Sequence, residues 1–318
     1  MDCERIVKEY TDEPIEAVEP ISGGHINKSF LVTAGERFVL QRLNPALYAD
    51  CPDALENNYG QYRQACGSPE GDIGKWHCPE WMRNRDGGYF YRDPDGNIWR
   101  MYRFLPSDRD PKAPGPDPSN YDPYAVGIGL GKLHRIMKRC EGIIGIAQNT
   151  RLYDLSYHYN RYRMQEDSPM PRVEEFDRQI EDGIDAMLHI IVPGGSVIHG
   201  DAKVGNMIFE NGEVVGFVDL DTIMPGSVFD DLADCIRSCC FDEDGQFDHE
   251  RAAGLISGYS KGADTTFTDD AVKLLGQVIA RNRFMLGMRY YTDYLSGEGY
   301  FADLDPNRKL ERACELLR

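Results

Sequence analysis

The chain has 318 residues, of which 41% are hydrophobic and 28% are charged; these are globular proportions, and they exclude a disordered or collagen-like chain. The formal net charge of −18 repels a phosphate backbone, which argues against nucleic acid as a partner. No apolar run reaches the roughly 18 residues of a membrane helix, and the start of the chain lacks the pattern of a signal peptide. We therefore expect a cytoplasmic protein with no membrane partner.

The first third of the chain has the apolar alternation of β-strands. Apolar residues recur at every second position in several short runs, as in strands with one buried face. Strands are predicted over residues 15–21, 29–33 and 37–43, and a hairpin over residues 89–105. A helix of about 15 residues is predicted from Asp53. These elements form a small, mainly antiparallel sheet unit.

A run rich in proline follows, with six prolines between residues 106 and 123. Because proline interrupts helices and central strands, we expect this run to tether an N-terminal lobe, residues 1–105, to a C-terminal lobe, residues 124–318. The second lobe has mainly helical spacing. Helices are predicted over 124–138, 151–166, 173–191, 230–240, 250–260, 270–295 and 306–317, and short strands over 197–201, 206–210 and 214–220. The fold class is therefore α+β.

The pattern most specific for chemistry lies on the loop between two of these short strands. Asn206 follows Asp201 by five residues, and Asp219 comes thirteen residues later, after an apolar strand. Protein kinases space a catalytic Asp, a metal-binding Asn and a second metal-binding Asp in this way. In that arrangement Asp201 accepts the proton of an attacking hydroxyl, Asn206 and Asp219 offer oxygens to Mg²⁺, and Lys203 reaches the transferred phosphate. His199, at the start of the loop, is expected to support it.

This loop resembles the signature of the aminoglycoside phosphotransferase and choline kinase superfamily, in which HGD is followed after four residues by Asn and then by an apolar strand ending in Asp. Within the superfamily the sequence is most similar to the N-acetylhexosamine 1-kinases. That narrower similarity rests on four stretches, GGHINKSFLV, FVLQRLN with LEN further on, DLDTIMPGSVFDDLADCIR and RYYTDYLSGEGYF. The resemblance covers nearly the whole chain.

The resemblance implies a bilobal, protein-kinase-like fold, with a small antiparallel-sheet lobe, a larger helical lobe, and ATP and Mg²⁺ in the cleft. It further implies that the γ-phosphate passes to the anomeric hydroxyl of an N-acetylhexosamine or related hexose. In the hexosamine kinases the positions of His25, Arg289 and Tyr300 line the sugar pocket. A Tyr and an Arg on a late helix are also common packing residues, so both interpretations stay open for Arg289 and Tyr300.

The nucleotide side of the site is less clear from the sequence. Gly23 and Gly24 lie in a turn between two strands, which can close over phosphates or form an ordinary hairpin. Kinases carry a Lys on the next strand, paired with a helix Glu, but this chain has Gln41 followed by Arg42. Arg42 is the candidate cation, with Glu56 as its partner. Strand alternation puts Gln41 and Arg42 on opposite faces, so the choice stays open.

Three further parts of the sequence, at Asp221, at Asp231 with His134, and at the glycines of Gly127–Lys132, bear on the site or on packing. Asp221 is expected either to support the site or to touch a second Mg²⁺. The resemblance implies that Asp231 braces the catalytic loop, and His134 is expected to be an interlobe or core contact. The glycines of Gly127–Lys132 imitate a dinucleotide fingerprint, but no strand precedes them and their spacing differs, so close helix packing is the better interpretation.

Two other functions remain open at this point. The acceptor is alternatively a choline-like amino alcohol, a methylthioribose-like sugar or an aminoglycoside. The second alternative is a pseudokinase, a protein that binds a nucleotide and acts as a scaffold. The uncertain identity of the phosphate-binding cation favours this alternative slightly. Retention of Asp201, Asn206 and Asp219 argues against that scaffold. The sequence leaves the oligomeric state and the preference for ATP or GTP undetermined.

Overall fold

The computed structural model of the chain describes residues 3–21, 27–44, 48, 52–67, 74–108, 120–140, 151–241, 245–301 and 304–318. The helices are α1 Cys3–Val7, α2 Pro52–Cys66, α3 Pro123–Met137, α4 Leu155–Arg163, α5 Glu174–Leu188, α6 Val228–Cys239, α7 His249–Ala263, α8 Asp269–Ser296 and α9 Pro306–Leu317. The strands are β1 Ala17–Pro20, β2 Lys28–Ala34, β3 Glu36–Arg42, β4 Phe90–Arg92, β5 Ile98–Arg103, β6 Ser196–Ile198, β7 Met207–Glu210, β8 Glu213–Phe217 and β9 Met224–Gly226.

The N-terminal part is a five-stranded antiparallel sheet in the order β1-β2-β3-β5-β4. The predicted meander and hairpin are therefore confirmed. The hairpin turns at Asp93, whose carboxylate accepts hydrogen bonds from the backbone N–H groups of Asp95 and Asn97, as Asp does in tight turns. One sheet face packs on Ile6 and Val7 of the short helix α1, which the sequence pattern did not predict.

The C-terminal part is mainly helical, and its predicted helices are confirmed with boundaries that differ by a few residues. Strand β6 pairs antiparallel with β9, and β7 pairs antiparallel with β8. Loops connect these two short ladders. Sequence analysis missed β9, a strand of only three residues. Several helices begin at side-chain caps; in α3, for example, Asp122 accepts from the Tyr124 N–H and Pro123 occupies the first turn. Together the two parts form the predicted α+β, protein-kinase-like arrangement.

Helices α3 and α7 cross so closely that each presents glycines to the other. A Cβ added at Gly127 would lie 2.0 Å from the Leu255 carbonyl oxygen, and one at Gly258 would lie 2.0 Å from the Tyr124 carbonyl oxygen. Glycine is required because the two backbones are in contact. The glycines of the Gly127–Lys132 stretch therefore serve helix packing, as expected, and the dinucleotide interpretation is excluded.

The division of the chain near the prolines stays a prediction, because residues 109–119 lie outside the described residues. A hydrophobic core runs continuously from α2 through α3 to α6 and α7, so the helix that follows β3 packs with the helical part. No helix among the described residues is long and apolar enough to cross a membrane.

Candidate active site

The loop between β6 and β7 brings the first three candidate residues together. The Lys203 ammonium lies 2.6 Å from Asp201 Oδ2. The Asn206 side-chain amide donates to the Asp201 backbone oxygen at 2.8 Å and to Asp201 Oδ2 at 3.0 Å. Burial raises the pKa of Asp201, but the Lys203 ammonium outweighs burial, so that the pKa lies below its usual value. The Asp201 carboxylate is therefore ionised at neutral pH.

Asp219 stands just after β8, with its backbone in the left-handed region at φ 60°. Burial and the carboxylates of Asp221 and Asp201 raise its pKa to about 6. Within the described residues, no group donates a hydrogen bond to the Asp219 carboxylate or to Asn206 Oδ1. A carboxylate without a partner in a negative environment, beside a free amide oxygen, fits the oxygen ligands that Mg²⁺ takes.

The described residues contain no cluster of three His, Cys, Asp or Glu side chains able to hold a metal ion. The donor set is therefore one carboxylate and one amide. That number suits Mg²⁺, which keeps several waters and binds through one or two protein groups together with substrate phosphates.

Asp231, at the start of α6, lies under the catalytic loop and is fully buried. Its two carboxylate oxygens accept hydrogen bonds from the His199 N–H at 2.7 Å and the Gly200 N–H at 2.9 Å. His134 Nε2 lies 2.9 Å from the same carboxylate. Gly200 has φ +80°, and an added Cβ would lie 2.4 Å from the Thr222 oxygen, so no other residue fits there. Asp231 thus contacts the loop at the two residues before Asp201.

Asp221 lies in a buried network that joins the sheet to the loop after β8. Arg100, on β5, pairs with both carboxylate oxygens of Asp221, and the Arg100 Nη2 to Asp221 Oδ2 distance is 2.9 Å. Gln41 Oε1 accepts from Arg100 Nε at 2.9 Å and from Nη2 at 2.6 Å. Arg100 and Asp221 side chains are 2% and 0% exposed. Asp221 is therefore held by protein groups on both oxygens, which favours the supporting role over contact with a second Mg²⁺.

The expected pair of Arg42 and Glu56 is absent from the ion pairs of the described residues. Alternation explains the difference, because Gln41 is buried on the inner face of β3 while Arg42 is half-buried on the other face. Gly23, Gly24 and His25 lie outside the described residues, and their roles stay predictions.

Arg289, on α8, and Tyr300, just after that helix, lie together. The Arg289 guanidinium stands 4.7 Å from the centre of the Tyr300 ring. Burial raises the pKa of Tyr300 well above its usual value, and the carboxylates of Asp201 and Asp219 add to the effect while Arg289 opposes it. Tyr300 therefore lies near the Asp201 and Asp219 carboxylates, and its role in an acceptor pocket stays a prediction.

Sequence reasoning missed four polar residues of this region, which are Arg100, Tyr153, Asp234 and Arg237. The Tyr153 hydroxyl lies 3.1 Å from the Gly200 oxygen and 3.2 Å from Asp234 Oδ2. Asp234 pairs with Arg237 at 3.0 Å. For Arg100 a signal existed, since a lone Arg between the apolar residues Trp99 and Met101 of one strand is unusual in a sheet.

Parts of this chain are similar in sequence to curated kinases. A homoserine kinase of Methylobacterium radiotolerans is 40% identical over 68 residues, 21% of this chain and 21% of the relative. A homoserine kinase of Brucella anthropi is 31% identical over 131 residues, 37% of this chain and 39% of the relative. The chain thus matches less than half the length of these curated relatives.

Solved structures show the same fold at low identity. An amicoumacin kinase in complex with AMP-PNP, Ca²⁺ and its ligand has a TM-score of 0.67 at 13% identity, covering 99% of this chain and 92% of that one. A microcompartment-associated aminopropanol kinase has a TM-score of 0.65 at 13% identity, covering 99% and 94%. The family model described as APH, phosphotransferase enzyme family, matches residues 17–264. With its kinase-like fold and its loop of Asp201, Lys203 and Asn206, this chain belongs to the APH phosphotransferase family.

Proposed function

We propose that this protein is an ATP-dependent small-molecule kinase that transfers the γ-phosphate to a sugar hydroxyl, the anomeric hydroxyl of an N-acetylhexosamine or a related hexose. The observation that carries the proposal is the position of the Asp201 carboxylate, between the Lys203 ammonium at 2.6 Å and the Asn206 amide at 3.0 Å. Membership of the phosphotransferase family supports the same reaction class.

Asp201 is the general base. Its carboxylate accepts the proton of the acceptor hydroxyl, and the acceptor oxygen forms a bond to the γ-phosphorus while the bond from that phosphorus to the β,γ-bridging oxygen breaks. ADP leaves with the bridging oxygen, and the proton remains on Asp201 until solvent takes it. The low pKa of Asp201, caused by Lys203 against the effect of burial, keeps the base ionised before the reaction.

Residues near Asp201 balance the negative charge of the transferred phosphoryl group. Lys203 stays a cation because Asp201 and Asp219 raise its pKa, although burial opposes them, and its ammonium, 2.6 Å from Asp201 Oδ2, would meet a γ-phosphate brought to that carboxylate. Asn206 and Asp219 would hold Mg²⁺, which supplies positive charge to the nucleotide phosphates. With a net charge of −18 on the chain, these local cations are necessary for binding a nucleotide.

A sugar acceptor is supported by the residues beside Asp201. Tyr300 offers an aromatic face and a hydroxyl, and Arg289 lies against that ring. Sugar sites combine an aromatic or apolar face with planar hydrogen-bonding groups for the hydroxyls. The same two positions support the resemblance to the hexosamine kinases, which is the reason for naming the anomeric hydroxyl.

An amino-alcohol acceptor is the second candidate. The local identity with homoserine kinases favours it. Asp234, whose pKa is raised by burial and by Asp201 although Arg237 opposes them, also offers a carboxylate near the base that suits an ammonium group. The pairing of Asp234 with Arg237 at 3.0 Å weakens this support, since that carboxylate already has a cation.

An ADP-release screen separates the candidates. The panel contains hexoses, N-acetylhexosamines, homoserine, aminopropanol, choline and aminoglycosides, with ATP or GTP and Mg²⁺, and the phosphorylated position is mapped by ³¹P and ¹³C NMR. We expect release with an N-acetylhexosamine and a 1-phosphate product, and none after Mg²⁺ is removed by chelation. Activity only with amine-bearing acceptors would select the second candidate. ATP that raises Tm without ADP release across the panel would indicate a pseudokinase.

A further inference from the structure

We propose that Arg100 and Asp221 are positioning residues, which together hold the metal-binding Asp219 in place, and that Asp221 is not a metal ligand. The inference rests on the proposed function for the role of Asp219. The supporting observation is a buried ion pair that joins the N-terminal sheet to the turn next to Asp219. In this interpretation the sheet positions a metal ligand and does not bind phosphate through this cation.

The contacts and the burial of Asp221 argue against a role as a metal ligand. Arg100 pairs with Oδ1 and, through Nη2 at 2.9 Å, with Oδ2. The Asn27 side-chain amide donates to Oδ2 at 3.1 Å. The Asp221 side chain is 0% exposed. A carboxylate that has a bidentate Arg, a further amide donor and no exposed surface is compensated in charge by the protein itself.

The turn between Asp219 and Asp221 transmits this hold. Leu220–Thr222 forms a single turn of 3₁₀ helix, and Asp219 caps its start with a left-handed backbone, φ 60° and ψ 52°. Such a conformation is costly for a residue other than Gly and persists only where the surroundings fix it. Asp221 anchors the turn to the sheet, and the Thr222 hydroxyl anchors it to the His199 oxygen at 2.7 Å. Asp219 is thereby fixed relative to the catalytic loop.

The position of Gln41 explains why the sheet contributes in this way. Gln41 stands opposite Arg100 in the register of β3 and β5, and both side chains lie on the buried inner face. Its Oε1 accepts two hydrogen bonds from Arg100, and its Nε2 donates to Ser29 Oγ at 3.0 Å. The inner face of β3 therefore presents a neutral group that orients Arg100. The cation on this face of the sheet is Arg100, and through its ion pair with Asp221 it holds the loop after β8 in place.

Asn27 extends the same network to the nucleotide side. Besides its bond to Asp221, its Oδ1 accepts the Asn44 N–H at 3.0 Å. Asn27 directly precedes β2 and follows Gly24 by three residues in the sequence. One carboxylate thus receives groups from the start of β2 and from β5, so that the relative placement of the sheet and of Asp219 depends on it.

The test compares Arg100→Lys with Arg103→Lys. Lys keeps the charge at residue 100 but cannot make the bidentate pair, whereas Arg103 lies on the same strand, half-exposed, with surface partners. Mn²⁺ binding is measured by EPR of the free ion with protein in excess over AMP-PNP, so that the nucleotide is bound to protein, and a sample with AMP-PNP alone gives the background; kcat and KM for ATP are measured in parallel. We expect Arg100→Lys to weaken Mn²⁺ binding about 10- to 100-fold, with kcat reduced more than KM changes, and Arg103→Lys to match the wild type.

The alternative, in which Asp221 is itself a metal ligand, predicts a different change in Mn²⁺ affinity. If Asp221 were a metal ligand restrained by Arg100, a looser hold in Arg100→Lys would leave Mn²⁺ binding unchanged or stronger, and that result overturns the proposal. A double-mutant cycle adds Asp221→Asn. We expect the double variant to bind Mn²⁺ about as weakly as either single variant, because each substitution breaks the same ion pair. Multiplicative losses would also overturn the proposal, because they would mean that the two residues act separately.

Two controls separate failure of this inference from failure of the proposed function. Wild-type protein that binds no Mn²⁺ with AMP-PNP contradicts the proposed function itself. Wild-type protein that binds it, with Arg100→Lys equal to wild type, contradicts only the inference. Circular dichroism and Tm report whether each variant folds. If Arg100→Lys does not fold, Asn27→Ser, which removes only the outer bond to Asp221, is used instead; we expect about a threefold loss in Mn²⁺ affinity, and no loss overturns the proposal.

Discussion

The Lys203 ammonium lies 2.6 Å from the Asp201 carboxylate, so the proposed base carries its own counter-charge. The pair does two things at once. It lowers the pKa of Asp201 against the opposing effect of burial, and it places a cation next to the oxygen that receives the proton.

Replacement of the base tests its role directly. Asp201→Asn keeps the size of the side chain but removes the proton acceptor, so we expect kcat to fall about 10²- to 10⁴-fold. Binding of AMP-PNP, measured by isothermal titration calorimetry, should change little. Turnover near the wild-type value would remove Asp201 from this role.

Loss of the counter-charge should appear in the pH profile. In Lys203→Met the main cause of the low pKa of Asp201 is gone, so the acid limb of kcat should move to higher pH while kcat falls about 10²- to 10³-fold. The profile is recorded between pH 3 and pH 9 with the preferred acceptor, so that the window includes the wild-type limb, which lies below the usual pKa of an Asp. Lys261→Met, at an exposed position on α7, serves as the control and should leave both values unchanged. An unshifted limb would show that Lys203 does not set the pKa of the base.

The extent of agreement between sequence and structure depends on how local each feature is. The spacing from Asp201 to Asn206 lies within one loop, and the strands on either side are short apolar runs, so the sequence predicted both. Strand alternation likewise predicted that Gln41 and Arg42 face opposite ways. These features depend on neighbours within about ten residues, over which periodicity is informative.

The partner of Asp221 was not predictable in the same way. Arg100 and Asp221 are separated by 121 residues, and their contact depends on the register of β3 with β5 and on the packing of the sheet against the helical part. The expected pair of Arg42 with Glu56 was wrong for the same reason: the general kinase pattern gives a strand cation and a helix acid, but here the cation comes from a different strand.

Asp231 should contribute to both stability and activity. Asp231→Asn leaves only one good acceptor for the two backbone N–H groups of His199 and Gly200, and unfolding by urea should show a loss of about 3 kcal/mol. Asp264→Asn is a matched control, since Asp264 is exposed with φ 52°, a conformation that Asn tolerates; its stability should equal the wild type. An unchanged free energy of unfolding in Asp231→Asn would contradict the bracing role.

The crossing of α3 and α7 predicts opposite effects of the same substitution at two glycines. In Gly127→Ala the new Cβ meets the Leu255 oxygen at 2.0 Å, so the helices must separate, and we expect a loss of about 3 kcal/mol in the free energy of unfolding. Gly60, within α2, has no atom within 4 Å of an added Cβ, and Gly60→Ala should gain about 0.5–1 kcal/mol. Equal effects in urea unfolding would contradict the close crossing.

A buried carboxylate at the start of α6 gives stability a dependence on pH. Burial raises the pKa of Asp230 to about 6, although the Asn282 amide at 3.2 Å and Arg281 oppose the shift. The folded state therefore favours the protonated form, and the contribution of Asp230 to stability is complete below its unfolded pKa near 4 and is lost as the pH rises through 6. Asp230→Asn keeps an acceptor for Asn282 and removes the buried charge. We expect the variant to exceed the wild type by about 2 kcal/mol at pH 8 and to equal it at pH 4, as measured by urea unfolding at both values. A constant difference between the two pH values would mean that Asp230 does not titrate in this range, and a less stable variant at pH 8 would mean that attraction to Arg281 outweighs burial.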